Sequence, residues 1–126
     1  RGANGYTVTT YQNGPLTNPT TSDTIPNTSC DVSCSYGSAG AWTNPANFGF
    51  GYRVSGTDVP AVFTSNPTFF KSFADLTLDQ PPQVVMNNSG TVQNHEATVT
   101  LRVSIPGSQP AGEYENALVF IATPGY

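Results

Sequence analysis

Charged side chains are scarce in this sequence of 126 residues. Four Lys or Arg and eight Asp or Glu make up 10% of the chain and leave a formal net charge of −4, whereas an ordinary soluble domain has about 25% charged residues. The basic residues form no stripe that could neutralise phosphates, which argues against nucleic-acid binding. The same scarcity argues against electrostatic docking on an anionic membrane.

Long apolar runs and metal-ligating side chains are also missing. No apolar run approaches ~18 residues, the length that a spanning helix requires, so no membrane span is predicted. Two Cys and one His are too few for a four-ligand Cys/His zinc site. No Asp-x-Asp-x-Asp-Gly loop occurs, so the loop residues Asp23, Asp31 and Asp58 are poor candidates for calcium. We therefore predict neither a metal nor a cofactor.

Polarity comes instead from Thr, Ser and Asn, and the chain also contains 12 Gly and 11 Pro. Thr suits the half-exposed surface of a pleated strand, while Asn, Gly and Pro suit turns. This composition is typical of extracellular β-proteins, and the length is that of one domain. We predict a single domain over residues 1–126, located outside the cell or on its surface, with its export signal removed upstream.

The two cysteines, Cys30 and Cys34, enclose Asp-Val-Ser. Their C-x-x-x-C spacing differs from the C-x-x-C of redox motifs. In a secreted protein the pair favours a local disulfide over two free thiols. Closing so short a loop stabilises the fold by roughly 2 kcal/mol on the chain-entropy model.

Hydrophobic periodicity predicts an all-β fold. In residues 96–105 the apolar side chains from Ala97 to Ile105 alternate with polar ones, so one face should be buried and the other wet. Apolar residues nowhere sustain a helical period over ten residues, and prolines interrupt the chain throughout. We predict an antiparallel β-sandwich, Ig-like or jelly-roll-like, with long loops in its first half. The other predicted strands are 5–11, 48–54, 59–63, 69–74, 83–86 and 114–123.

Two regions depart from this simple alternation. Residues 117–122 are apolar at every position, so this strand should lie centrally between two layers or be covered by a neighbouring subunit. Residues 12–47 contain few consecutive strand formers, with short strands expected only near Leu16 and Ile25. Trp42, together with Tyr36 and the cysteine pair, indicates that this long segment is ordered and packed.

The segment before the last strand contains a Gly two residues ahead of a Tyr. Gly112 and Tyr114 match the tyrosine corner of Ig-like sandwiches, in which the Tyr hydroxyl bonds to a nearby backbone group. We therefore expect Tyr114 to stabilise the fold and to take no part in catalysis.

Three segments carry a resemblance to known proteins. The ending QPAGEYENALVFIATPGY, the early GANGYTVT and the central GFGYRVSG resemble a loose group of secreted bacterial and archaeal cell-surface proteins. Those proteins share an "NGYTV" strand and a C-terminal "P-AG-Y-N … ATP" signature, and some are similar to fimbrial and biofilm-matrix subunits. The resemblance implies a β-sandwich at a cell surface and supplies no catalytic residue.

Asn4-Gly5, immediately before the strand at 6–11, is the strongest short hairpin signal. A hairpin needs a strand on both sides, yet only three residues precede this pair. Either a first strand is missing or Asn4-Gly5 is only a bend. A missing strand would leave an unpaired sheet edge that another chain could fill by strand addition.

Catalytic constellations are incomplete in this sequence. His95 lies in a polar loop, and a triad also needs an orienting acid and an oxyanion hole. Asp75 and Asp79 could face a sugar as glycosidase carboxylates do, but any β-protein offers such pairs by chance. We therefore expect no enzymatic activity.

Two further sets of residues suggest contacts with sugars. Trp42, Tyr36 and Tyr52 could stack on sugar rings if they are exposed, although a single Trp in a sandwich is more often part of the core. Asn27 and Asn87 each begin an Asn-x-Ser/Thr acceptor pattern for N-glycans.

Two functional hypotheses follow from these features. In the first, the chain is a structural subunit of an extracellular filament, pilus or matrix, and its partners are copies of itself joined by strand complementation. In the second, it is a cell-surface adhesin or carbohydrate-binding module that uses the three aromatic side chains on surface glycans.

Overall fold

The computed structural model describes residues 5–91 and 93–125. Strands dominate this part of the chain, with one helix of five residues and one 3-10 turn. The strands are β1 Tyr6–Gln12, β2 Leu16–Thr17, β3 Thr24–Ile25, β4 Gly40–Ala41, β5 Gly49–Gly56, β6 Phe69–Phe70, β7 Gln83–Asn88, β8 Ala97–Ser104 and β9 Leu118–Pro124. The helix α1 spans Ala61–Ser65 and the 3-10 turn spans Leu76–Leu78.

All strand pairs in these sheets are antiparallel, which confirms the predicted all-β class. One sheet has three strands in the order β7-β1-β9, and β5 pairs with β8 over eight residues. Two short ribbons, β2-β3 and β4-β6, complete the set. The last strand of the chain thus lies beside the first, with a sequence separation of more than a hundred residues.

Both larger sheets contribute to one aromatic core. Phe50, Tyr52 and Val54 of β5 are buried in it, and Val85 of β7 reaches it from the three-stranded sheet. Phe73 lies between two rings, with its centroid 5.6 Å from that of Phe50 and 4.2 Å from that of Tyr52. Burial raises the pKa of the Tyr52 hydroxyl far above its ordinary value, so Tyr52 acts here as an apolar side chain.

Residues 71–75 connect the two larger sheets on one side of this core. Lys71 exchanges two backbone hydrogen bonds of 2.8 Å with Tyr52, on the edge of β5 that faces away from β8. The Ala74 carbonyl then accepts the Gln12 N–H at 2.7 Å, on the edge of β1 that faces away from β9. Because β8 and β9 border the opposite edges, both lie on the side of the core remote from this connection.

The long first-half segment packs on the other face of the β5–β8 sheet. Trp42 is 0% exposed and forms a second cluster with Cys30 and Phe70. The guanidinium of Arg102 in β8 stacks 4.5 Å from the Trp42 ring and donates to the Trp42 carbonyl. Gly51 permits the close approach of Trp42 to this sheet, since a Cβ there would lie 3.3 Å from the Trp42 ring. The predicted ordering of this segment is confirmed.

Two local predictions are confirmed at single residues. Cys30 and Cys34 form a disulfide with a Cα–Cα distance of 5.6 Å. The Tyr114 hydroxyl donates to the Pro110 carbonyl at 2.7 Å, which is the expected tie of a tyrosine corner. The ring of Tyr114 also packs against the aromatic core.

Two strand predictions were wrong. Residues 59–63 lead into helix α1 instead, because Pro60 has no N–H to give to a strand ladder and its fixed φ suits a helix start. The turn directs Phe63 into the core. Of residues 69–74 only the first two form a strand, since the rest of that segment crosses between the sheets.

Candidate functional site

The core-facing side of β8 is largely uncovered, contrary to the predicted burial of its apolar face. Ala97 and Val99 contact the core, but Leu101 is 50% exposed and Val103 49% exposed, and Ile105 beyond the strand is also half-exposed. The cross-strand partners of Leu101 and Val103 on β5 are Tyr52 and Phe50, which are buried core residues. The apolar surface of the core therefore extends along β8 beyond the point at which other described parts of the chain cover it.

The predicted wet face of β8 is covered only in its second half, since Thr98 and Thr100 are exposed as expected. Arg102 lies on Trp42, and the Ser104 hydroxyl donates to the Pro45 carbonyl at 2.6 Å. Alternation correctly identified which side chains share a face. It assigned solvent wrongly at Arg102 and Ser104, because a loop distant in sequence packs on that half of the face.

Strand β9 presents a second uncovered apolar surface. Leu118 packs against the core, whereas Phe120, on the same face, is 46% exposed. Ile121 on the opposite face is exposed to a similar degree. The predicted coverage of this doubly apolar strand is thus not provided by the described part of its own chain.

Among residues 5–91 and 93–125, no strand pairs with the outer edge of β9. β9 borders β1 alone, and the Ala117 carbonyl and the Gly125 N–H both bond toward β1. Alternate residues of an antiparallel strand direct their N–H and C=O to the same side. The peptide groups of Leu118, Phe120 and Ala122 consequently point away from β1, toward the open edge.

Strand β8 has the same arrangement. The Glu96 carbonyl bonds to Thr57 on the β5 side, so the groups of Ala97, Val99, Leu101 and Val103 point outward. We call the two outer edges and their exposed apolar side chains the open side. Its side chains are Leu101, Val103, Ile105, Phe120 and Ile121.

The open side lacks the devices that usually block edge-to-edge pairing. Natural edge strands carry Lys, Pro, bulges or inward-pointing charges. β9 contains no charged residue, and its only Pro is the last residue, Pro124. The single charge of β8, Arg102, lies on Trp42 on the other face of the sheet.

The unpaired edge is not where the N-terminal hairpin signal placed it. Asn4 lies outside the described residues, and Gly5 leads directly into β1 with a φ of +89°. β1 is the central strand of its sheet and pairs with β7 on one edge and β9 on the other. No vacancy therefore lies beside β1, and the unpaired edges of interest belong to β8 and β9.

The proposed stacking aromatics are not assembled into a ligand surface. Trp42 and Tyr52 are fully buried, on opposite faces of the β5–β8 sheet, and the Trp42 indole N–H donates to the Asn47 carbonyl at 2.8 Å. Burial in two separate clusters prevents both rings from stacking on a sugar, which corrects that prediction. Tyr36 is half-buried in the segment that follows the disulfide.

Asp58 is the centre of a polar cluster at the end of β1 and β7. Its carboxylate accepts hydrogen bonds from the Tyr6 hydroxyl at 2.7 Å and from the Asn88 amide at 2.9 Å, and it contacts His95 Nδ1 at 2.6 Å. The hydrogen bonds from His95, Tyr6 and Asn88 lower the pKa of Asp58 to about 2. Desolvation, followed by the contact with Asp58, raises the pKa of Tyr6 to about 12.

The other acidic candidates have structural partners. Asp31 accepts bonds from the backbone of Thr43 and Asn44 and from the Asn47 amide, which lower its pKa to about 2. Asp75 is buried and caps the 3-10 turn, while Asp79 is exposed and ends it. Among residues 5–91 and 93–125 no group of three His, Cys, Asp or Glu side chains is placed to hold a metal ion.

The glycan acceptors lie in different surroundings. Asn27 is half-buried and its side-chain oxygen accepts a hydrogen bond from the Gln12 amide at 2.9 Å. Asn87 is exposed on β7. Attachment of a sugar at either position stays a prediction, with Asn87 the more accessible of the two.

Acid should destabilise this fold in a defined window. The ordinary pKa of Asp is about 3.9, so the depressed values of Asp31 and Asp58 favour folding when both groups are ionised. Their contribution is complete above about pH 4 and is lost as the pH falls toward about 2. Urea midpoints measured from pH 7 to pH 2 should therefore hold steady and then fall.

In the Asp58→Asn variant, the urea midpoint should fall less than in wild type between about pH 4 and about pH 2. Asp79→Asn, at an exposed position, is the matched control and should follow the wild-type curve. An acid profile of Asp58→Asn that coincides with wild type would contradict a role for this carboxylate.

Comparison with family models, with curated proteins and with solved structures found no match to this chain. The resemblance to cell-surface and fimbrial proteins therefore stays a prediction. In the described part of the chain, no helix has the length and apolar character needed to cross a membrane.

Proposed function

We propose that this chain is a structural subunit of an extracellular filament, pilus or matrix. In this proposal its two larger sheets form an open β-sandwich, and a neighbouring copy adds a strand on the open side. The observation that carries the proposal is the open side itself. Two strands there combine backbone groups that no described strand pairs with and half-exposed apolar side chains, of which all but Ile121 lie on the core-facing side.

The energetics favour association that depends on concentration. Full burial of one large apolar side chain contributes about 1.5–3 kcal/mol, so five half-exposed ones contribute roughly 5 kcal/mol per copy and about 10 kcal/mol across a contact between two such surfaces. Association costs about 4–15 kcal/mol. Because gain and cost are comparable, backbone pairing along the strand edges would determine whether the contact is stable.

The surrounding features are compatible with an extracellular location. The Cys30–Cys34 disulfide is of a kind that persists in oxidising compartments. The scarcity of charge leaves little electrostatic repulsion between copies. The alternative, carbohydrate recognition through aromatic stacking, is weaker because two of its three rings are buried.

Sedimentation velocity over a wide range of concentrations tests the proposal. We expect the wild-type mass to rise with concentration and negative-stain images to show assemblies. The double variant Leu101→Lys/Val103→Lys should form smaller assemblies than wild type, because burying two ammonium groups opposes any contact made through β8. Both positions are half-exposed, so the variant should fold.

The matched control is Thr98→Lys/Thr100→Lys, which places the same charges on the opposite face of the same strand, at exposed positions. It should assemble like wild type. Wild-type protein that stays monomeric at every concentration would overturn the proposal.

A further inference from the structure

We infer that β9 is the assembling strand, and that it pairs antiparallel with β9 of a second copy about a twofold axis through Phe120. The pairing would join two three-stranded sheets into one sheet of six strands. This inference rests on the proposed function and names the edge, the partner and the register.

The occupant of the β9 edge must be apolar on both of its faces. Phe120 projects on the core side of β9, while Val119 and Ile121 project on the other side, and the strand carries no charge. Most strands of this chain fail the requirement, since β1 carries mostly Thr and Tyr and β7 ends in two Asn. β9 itself meets it, so a second copy offers the complementary strand.

The outer edge of β8 is a less suitable site. Its core-facing side is apolar, but its other face carries Thr98, Thr100 and Arg102. The loop that contains Trp42 already packs on that face. A strand added at β8 would therefore have one face beside polar side chains. A strand that is apolar on both faces, such as β9, would not suit that edge.

Symmetry and backbone direction determine the register. A twofold axis perpendicular to the sheet keeps core-side residues opposite core-side residues. Centring the axis on Phe120 places Leu118 opposite Ala122 of the second copy, and Val119 opposite Ile121. Because Leu118, Phe120 and Ala122 are the residues whose peptide groups point outward, the contact would gain about six backbone hydrogen bonds.

Neighbouring registers are less favourable. A shift toward the C-terminus pairs Leu118 with Pro124, which has no N–H to donate. A shift toward the N-terminus brings Asn116 opposite Ala122, but the chain there has left the sheet edge. The Glu115 backbone bonds to Thr17, and the Asn116 amide donates to the Gln12 side chain at 3.0 Å.

The contact is self-complementary, as a twofold interface requires. The two Phe120 side chains would be directly opposite each other on the core side, with Cβ atoms about 5 Å apart. On the other face Val119 of each copy would lie beside Ile121 of its partner. A closed pair would be the building unit of the assembly, and longer growth would use another surface.

Cysteine cross-linking tests the register directly. Under mild oxidation we expect a mixture of Val119→Cys and Ile121→Cys protein to form a mixed disulfide dimer. Neither variant alone should link to itself, because its two cysteines would exceed the limit of about 7 Å between Cα atoms. Phe120→Cys should form a self-linked dimer. Peptide mass spectrometry identifies the bridge and confirms that Cys30–Cys34 is intact.

Charge substitution provides a second, independent measurement. Phe120→Lys should weaken dimerisation by about 100-fold in sedimentation equilibrium, as expected for a central apolar contact. Val84→Lys is the matched control, since Val84 is an exposed apolar residue on β7, at the opposite edge of the same sheet. It should dimerise like wild type, and circular dichroism checks that both variants fold.

The outcomes separate the inference from the proposed function. Wild-type protein that never assembles would overturn both. Wild-type assembly that Phe120→Lys leaves unchanged, or self-linking by Ile121→Cys or Val119→Cys alone with no mixed dimer, would overturn this pairing and leave the structural-subunit proposal standing.

Discussion

Replacing Phe73 by alanine should lower the free energy of unfolding by about 4 kcal/mol. Phe73 is 0% exposed and its ring contacts both Phe50 and Tyr52. The loss combines the transfer free energy of the ring with the cost of the cavity left behind. Since a domain of this size has a total stability of about 5–15 kcal/mol, the variant should be only marginally folded at room temperature.

Urea denaturation followed by tryptophan fluorescence measures this effect. Phe48→Ala is the matched control, because the same deletion at an exposed ring should cost less than about 1 kcal/mol. The aromatic stack would not be the centre of the core if the two variants lost similar amounts.

Replacing Trp42 by alanine should also cost about 4 kcal/mol. The indole fills the space between the disulfide segment and the outer face of the β5–β8 sheet, with Phe70 edge-on at 5.4 Å and Arg102 over the ring. Its removal leaves a cavity and deprives the guanidinium of a cation–π contact worth about 1 kcal/mol. The first-half segment should then detach locally before the rest of the fold unfolds.

Hydrogen exchange and urea denaturation followed by circular dichroism distinguish these two consequences. We expect faster exchange of the amides of residues 42 and 28, which bond to the Thr68 and Phe50 carbonyls outside this segment, with little change in β1. Val32→Ala, at the most exposed apolar position of the same segment, is the control and should leave both measurements unaltered. Uniformly faster exchange throughout the chain would contradict local detachment of the first-half segment.

Local signals in the sequence predicted local structure well. The alternation at 96–105 and 5–11 corresponds to β8 and β1 within one residue at each end, and the Gly112–Tyr114 pattern gave the observed hydroxyl tie. The Cys30–Cys34 spacing likewise gave the observed disulfide. Each of these features depends on residues within about ten positions of one another, where steric preference and chain connectivity restrict the alternatives.

What covers each face could not be predicted in the same way. Periodicity shows that Leu101 and Val103 share a side of β8, but their exposure depends on how far the other sheet extends. Arg102 was expected to face solvent, but it is covered because Trp42, sixty residues away in the sequence, packs on it. The apolar run at 117–122 was the sequence signal that coincided with the exposed apolar surface of β9.

Strand order was equally beyond local reasoning. Asn4-Gly5 suggested a missing neighbour for β1, yet that strand has two neighbours, both from the last third of the chain. Turn propensity describes the bend and not the strands that later pair beside it. The open side, which comprises the separate outer edges of β8 and β9, exists only once those long-range pairs have formed.

The antiparallel pairing of β1 with β9 determines how the domain responds to mechanical load. The N-terminal end of β1 lies beside the C-terminal end of β9, and the Gly125 N–H bonds to the Gly5 carbonyl at 2.9 Å. Tension that separates residues 5 and 125 would break the hydrogen bonds between β1 and β9 sequentially from that end, instead of loading all of them at once. In the proposed filament, a subunit would therefore resist tension better if the load entered through the strand edges between copies than through residues 5 and 125.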